Sequence, residues 1–356
     1  MKILHILTDS NIGGAGMHLL ALLKSYDRGE FCIEVILPEG SRLAAAVKET
    51  GTKVIEADHI RDRSFSAKGV YSLLKLLREI KPQLVHTHAS LSGRIAAKIL
   101  GLPVIYTRHY CVDTAKTRRQ INFFNDRVVA PSPEVARGLE SSGINPKLIT
   151  TIENGVTHVT YISPEEKVKI RDRYGISKES FVVVQVARLD PIKGHDVSLD
   201  AIKLLFPKAP DLVVLFAGDG PLEEHLKKRI KDEGIKNVLM LGFISKVEEI
   251  YNIADLQLNA SFSESSCLAL LEGMSLGIPA VVTDGGANPR TIPHGLRGLV
   301  VPCGDYVALA EAILTVKKDA SLRRRLSEGA LAGYNTHFRA DRMARQMEAL
   351  YREVVK

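Results

Sequence analysis

In SFSESSCLALLEGMSLG, residues 261–277, a polar turn separates two apolar patterns. Just before it, Ala254–Leu258 is a short apolar run of the kind that fills a buried parallel strand. After it, Leu268, Leu271 and Met274 recur at helical spacing, and Ser265 and Ser266 are expected to cap that helix. Glu264 then lies in the turn and Glu272 about two turns into the helix. A strand, a polar turn and a helix start offer an anion unpaired N–H groups and the positive end of the helix dipole. Taken alone, the stretch reads equally well as a capped helix carrying solvated glutamates. Its neighbours along the chain decide.

Working outward, the same strand–turn–helix unit repeats. Strands are expected at Lys2–Leu7, Cys32–Leu37, Lys53–Ala57, Gln83–Thr87, Pro103–Thr107, Arg127–Ala130 and Leu148–Ile152. A second series follows at Phe181–Ala187, Asp211–Ala217, Asn237–Leu241, Asp255–Leu258, Pro279–Thr283 and Gly298–Val301. Helices fall between them, the first from about Met17. Alternation of this kind calls for parallel sheets covered on both faces. The expected architecture is α/β, with two Rossmann-like doubly wound domains at 1–160 and 161–337. A last helix at 338–356 is expected to pack on the first domain. Ligands of such sheets bind beyond the carboxyl ends of the strands, which points to a cleft between the domains.

Composition narrows the function. The 356 residues are 45% hydrophobic and 25% charged, as in globular proteins that fold in water. There is no Trp and aromatics make up 6%, so nothing supports a stacking platform for nucleic acid. The apolar start, MKILHIL, is too short for a signal peptide or a membrane span, and Cys32, Cys111, Cys267 and Cys303 lack metal or redox spacing. A cytoplasmic location is the expectation. Residues 1–160 carry 21 Lys and Arg against 15 Asp and Glu, while the remainder balances at 27 against 26. The basic half suggests an anionic partner, such as peripheral contact with the inner face of an anionic membrane.

Loops after strands hold the chemistry-bearing residues. Gly13, Gly14 and Gly16 suit close approach of backbone to a substrate but do not complete a dinucleotide fingerprint, since its last glycine is replaced by Leu19. His86 and His88 are expected on opposite faces of their strand, and so not to share a metal. Arg188 and Lys193, in VARLDPIKG, follow the first strand of the second domain and suit a diphosphate. No two aspartates are spaced D-x-D, so neutralisation by protein cations rather than by a metal is expected, and no cofactor.

At this point the chain resembles the retaining glycosyltransferases of family 4, which have the GT-B fold. The resemblance rests on ordered motifs along nearly the whole chain: Gly13–Ala15, Val85–His88, Ala130–Glu134, Glu153–Val156, Val186–Gly194, Ala217–Leu222, Leu241–Ser245, the E-x7-E pair Glu264 and Glu272, and Gly277–Gly286. It implies a nucleotide-sugar donor, UDP-linked, and a glycan, lipid-linked or other hydroxyl acceptor in cell-envelope synthesis. It further implies that Arg188 and Lys193 hold the diphosphate and Glu272 the ribose. Glu264 and His109 then meet the donor sugar, with Ser266, Cys267 and Leu268 near the sugar and distal phosphate. Gly14 lies near that phosphate, and Ile244 offers a backbone contact to the base.

Three departures bear on specificity. Ser265-Ser266-Cys267 replaces the family's glycine, aromatic, glycine; Asn288-Pro289-Arg290 puts a base where the family commonly has an acid; and the connection from His109 to Arg127 is short and basic, with Lys116, Arg118 and Arg119. No covalent nucleophile stands out, so a same-face reaction assisted by the leaving phosphate is expected. The competing readings are a sugar-nucleotide epimerase on the same fold and a non-catalytic sugar-nucleotide-binding module.

Overall fold

The computed structural model describes residues 1–10, 12–62, 64–109 and 115–355. Asn11 and Cys111 therefore lie outside the described residues. Two compact units divide the chain: Met1–Thr157 with Phe338–Lys356, and His158–His337.

The first unit is built on β1 (Lys2–Leu7), β2 (Cys32–Pro38), β3 (Lys53–Ala57), β4 (Leu84–His88), β5 (Val104–Thr107), β6 (Arg127–Ala130) and β7 (Ile149–Thr151). They form one sheet in the order β3-β2-β1-β4-β5-β6-β7 with every pairing parallel. Both faces are covered, which is why these strands are apolar without alternation. On one face Ile3, Leu7 and Leu84 pack with residues of the helices Gly14–Leu23 and Ala340–Val354; on the other, Leu4, Ile6 and Val85 pack with residues of Ala67–Ile80 and Leu91–Ile99.

The second unit repeats the scheme with β8 (Phe181–Val186), β9 (Leu212–Ala217), β10 (Val238–Gly242), β11 (Leu256–Asn259), β12 (Ala280–Thr283) and β13 (Gly298–Val301). Its order is β10-β9-β8-β11-β12-β13, again all parallel. In each sheet the order reverses next to the first strand, between β1 and β4 and between β8 and β11. Loops leave such a switch point in opposite directions and open a crevice beyond the strand ends. The loops after β8 and β11 carry Lys193 and Glu264.

The last helix, Ala340–Val354, belongs to the first unit. Met343, Met347, Leu350 and Tyr351 form its buried stripe. The chain enters it through a parallel bridge, with Val156 N–H donating to Phe338 O at 2.9 Å and Ala340 N–H to Val156 O at 3.0 Å.

Several elements differ from expectation. Helices occur at Ala115–Phe124, Pro164–Arg173 and Ala320–His337. Pro164 reads as a break, yet it stands at the first helical position behind Ser163, which forms a capping box with Glu166. Lys116, Arg118 and Arg119 are thus on a helix that buries only Ile121, not in a loop. The first helix begins at Gly14, ahead of Met17, with Gly13 as an extended N-cap. Among the described residues no helix is long and apolar enough to cross a membrane.

Candidate functional site

Beyond β8 the chain is steered by a short turn. The Asp190 carboxylate accepts from Ile192 N–H at 3.2 Å and starts the single 3-10 turn Pro191–Lys193. The buried Gln185 amide then donates to Lys193 O at 3.0 Å, fixing the backbone from which the lysine projects. Gly194 follows at φ +66°, and a Cβ there would stand 2.1 Å from Ala260 O. The glycine therefore lets the loop after β8 touch the end of β11, where Phe262 N–H donates to Ile192 O at 2.8 Å.

This contact brings Lys193 Nζ to 2.8 Å from Glu264 Oε1. Asn259 Nδ2 at 3.2 Å and Ser261 Oγ at 2.7 Å donate to the same oxygen. Oε2 takes no hydrogen bond from any described residue, so the carboxylate is anchored at one oxygen and open at the other. Burial works to lower the Lys193 ammonium's pKa, but Glu264, with help from Cys267 and Asp190, makes the net shift upward. Arg188 is exposed at the end of the same strand and makes no side-chain ion pair among the described residues. The cations do not pair with Asp190; the ion pair is Lys193–Glu264.

The helix after the turn is Leu268–Ser275, with Cys267 rather than Ser265 or Ser266 as its N-cap and no side-chain cap bond. Ser266 is half-buried and its hydroxyl has no partner among the described residues. First-turn amides, those of Leu268 and Ala269 included, have no intrahelical acceptor. Because the helix starts late, Glu272 is its fifth residue, a little over one turn in rather than two. Nor is its face fully solvated: Glu272 is half-buried. Burial pushes the Glu272 carboxyl up to about 7, against a hydrogen bond from Tyr251 that pulls it down. The Tyr251 hydroxyl lies 2.8 Å from Ala269 O and 3.3 Å from Glu272 Oε2. Burial, reinforced by Glu264, pushes the Cys267 thiol up to about 12, so it supplies no thiolate nucleophile.

Ile244 lies in the loop after β10, its side chain packed half-buried on the cluster around Tyr251. Gly14 and His109 belong to the first unit. Gly14 is exposed at the first residue of its helix, with nothing within 4 Å of a Cβ built on it. His109 Nε2 sits 3.3 Å from His88 Nδ1. His86 and His88 share one face of β4, with ring centroids 4.7 Å apart and planes 17° from parallel. Successive strand residues alternate, so positions two apart point the same way, which reverses the expectation of opposite faces. His5, His86 and His88 place ring nitrogens within 4.8 Å of one another.

Each unit matches one half of a known enzyme class. Residues 12–158 match the model of Glycosyltransferase Family 4, and residues 166–332 that of Glycosyl transferases group 1. The two units are those of a glycosyltransferase. The Escherichia coli UDP-Gal:alpha-D-GlcNAc-diphosphoundecaprenol alpha-1,3-galactosyltransferase is 25% identical over 369 residues, covering 96% of this chain and 95% of that one. The N-acetyl-alpha-D-glucosaminyl L-malate synthase of Bacillus anthracis is 28% identical over 211 residues, 59% of this chain and 55% of that protein. Among solved structures, Anabaena HepE in complex with UDP and glucose superposes with a TM-score of 0.88, at 23% identity and 99% coverage of both chains. The fold is GT-B.

In this glycosyltransferase the anchoring residues of Glu264 are the ones that sequence reasoning passed over. Asn259, at the end of β11, donates to both Glu264 and Cys267 Sγ, the latter at 3.2 Å, while its own Oδ1 accepts from Asn288 Nδ2 at 3.2 Å. A polar residue closing an apolar strand was the available signal. The double glycine after β12 has a related part: Ala287 N–H donates to Glu264 O at 2.8 Å, and a Cβ on Gly286, at φ +62°, would stand 2.1 Å from that carbonyl.

Proposed function

We propose that this glycosyltransferase moves a sugar from a UDP-linked donor to a hydroxyl acceptor, with retention at the anomeric carbon, in the synthesis of cell-envelope glycan or glycolipid. The observation that carries the reading is the one-sided anchoring of Glu264. Its Oε1 is held by Lys193, Asn259 and Ser261, which leaves Oε2 to accept from a donor-sugar hydroxyl. Lys193, Arg188 and the amides at Ser266, Cys267 and Leu268 neutralise the leaving diphosphate without a metal. Glu272 holds the ribose hydroxyls and the backbone of Ile244 contacts the base. His109 and Gly14 keep the roles near the sugar and distal phosphate that the family resemblance gives them. The leaving phosphate takes the acceptor proton on the same face, since no side chain of the site is an activated nucleophile.

Support for the UDP donor comes from HepE, solved with UDP and glucose, and for a lipid-linked acceptor from the E. coli relative, which acts on GlcNAc-diphosphoundecaprenol. The exposed cations Lys116, Arg118 and Arg119 give that acceptor's membrane a peripheral contact, worth about 1 kcal/mol per basic residue near the surface. Incubation with a panel of UDP-sugars and lipid-linked acceptors, followed by NMR of the product, tests the reading. It predicts one consumed donor, an unchanged anomer and full activity in EDTA. An inverted anomer, or isomerised donor with no acceptor present, contradicts it.

A further inference from the structure

The first unit buries His5, His18, His86 and His88 and half-buries His109, and all of these but His18 are strung into one hydrogen-bonded line. Thr107 Oγ1 lies 2.7 Å from His86 Nε2, and His86 Nδ1 lies 2.8 Å from the Tyr351 hydroxyl. That hydroxyl is 3.1 Å from His5 Nε2, His5 Nδ1 is 3.2 Å from His88 Nε2, and His88 Nδ1 is 3.3 Å from His109 Nε2. The line crosses three neighbouring strands, with His5 and His86 in register across β1 and β4, and is closed from above by Tyr351 on the last helix. His18 stands beside it, 5.4 Å from the His109 ring, but is held separately by Asn154 Oδ1 at 2.8 Å.

A neutral imidazole has one N–H and one lone pair, so the line runs in one of two directions unless the Tyr351 oxygen accepts from both sides, which would leave its own buried O–H without an acceptor among the described residues. Burial lowers all four of these histidines, His5 and His109 to about 3, and keeps them neutral. In one direction the Thr107 O–H donates to His86 Nε2, His86 Nδ1–H to the Tyr351 oxygen, and Tyr351 O–H to His5 Nε2. His5 Nδ1–H then donates to His88 Nε2, and His88 Nδ1–H to His109 Nε2. The His109 proton is left on Nδ1. In the reverse direction the same protons sit on the opposite atoms, His109 donates inward from Nε2, and the Thr107 O–H, on a side chain 1% exposed, finds no acceptor among the described residues. A buried donor without an acceptor is the costly case, so the first direction wins.

We propose that this line fixes His109 as the Nδ1–H tautomer, making the nitrogen it leaves unused a standing hydrogen-bond donor, with Tyr351 and Thr107 as positioning residues. Resting on the reading in which His109 meets the donor sugar, the consequence is that His109 gives an N–H to a sugar oxygen and does not act as a base there. All six ring nitrogens of His5, His86 and His88 are spent on protein partners, which accounts for their clustering without a metal ion.

The test reads the tautomer without substrate, so its outcome is separate from that of the glycosyl-transfer reading. The full chain, labelled with 15N-histidine, gives long-range 1H–15N spectra near neutral pH, with His109 assigned through His109→Gln. Wild type is expected to show His109 protonated at Nδ1. Thr107→Asp, whose carboxylate can only accept from His86 Nε2–H, should reverse the line and move His109 toward Nε2–H, whereas Tyr351→Phe, in which reversal would strand the buried His5 N–H, should leave His109 protonated at Nδ1, with circular dichroism native in both. An Nε2–H tautomer in wild type, an unchanged tautomer in Thr107→Asp, or one equivalent of tightly bound zinc in the purified chain overturns the proposal.

Discussion

Glu264 and Glu272 are the same residue in different surroundings, and the surroundings set how each carries its charge. Glu264 is 8% exposed, yet a lysine and two neutral donors converge on one of its oxygens, so it can be buried as a carboxylate. Glu272 has no cation beside it, and burial lifts it to about 7. Ribose hydroxyls prefer the ionised form, so UDP-sugar affinity should rise as pH passes upward through 7. Glu272→Gln should bind about tenfold more weakly above pH ~8 and flatten the dependence, as titration calorimetry would record. Stability runs the other way. A carboxyl with a folded pKa above its unfolded one takes up a proton on folding, so its contribution is lost as pH rises from the ordinary carboxylate range through about 7. Thermal melts of the free protein should show that slope, and Glu272→Gln should remove it. If Lys193 holds the diphosphate as proposed, Lys193→Ala should lower kcat/KM by about 10²–10³ in a steady-state assay, through loss of a preorganised charge. Arg188, Lys193 and Glu264 stand out in the sequence as candidates because charged residues just past apolar strands have few structural reasons to be there, and the structure pairs Lys193 with Glu264. Asn259 and Ser261 do not stand out, since their role depends on how the loop after β11 folds back on Glu264.

Among the elements, the loop after β8 sets the site, and Gly194 is its tightest point. Gly194→Ala forces both a left-handed residue and a Cβ 2.1 Å from Ala260 O. Gly175 shares the φ of +66° but has nothing within 4 Å, so Gly175→Ala isolates the backbone cost at about 1 kcal/mol. Urea unfolding should show Gly194→Ala losing at least twice that, together with donor binding; equal losses would mean that the loop contact is slack. The central strands, such as β1, β2, β8 and β9, were readable because burial on both faces leaves apolar runs that polar loops cannot imitate, and the edge strands followed from the repeated alternation. The helices Ala115–Phe124 and Ala320–His337 were not, because one buries Ile121 alone and the other only Leu326, Ala330, Gly333 and Tyr334, too thin a stripe to stand out. The start of Leu268–Ser275 was misjudged for a different reason: the serines before it could cap, and the backbone begins the helix after Cys267 instead.

For the whole molecule, the same doubly wound scheme is used twice, and the chain ends by completing the first unit rather than the second. Met347 is fully buried on the stripe of the last helix, against Leu19, Leu23 and other residues of the first unit's core. Met347→Ala should destabilise that unit by about 2–5 kcal/mol, and with two cores in one chain the melt should broaden or split rather than shift as one transition. The tandem architecture was legible from the repeated alternation, and the class of chemistry from the ordered motifs that resemble the family rather than from any one loop. The donor sugar was not, because Ser265-Ser266-Cys267 changes the surface next to Glu264 without naming what it meets. The central claim is that Lys193 and Glu272 in the second unit hold the nucleotide, and calorimetric titration of the full chain with UDP tests it most directly. The account predicts one UDP per chain in wild type, and affinity at least tenfold weaker in both Lys193→Ala and Glu272→Gln. Unchanged UDP binding in both variants would contradict it.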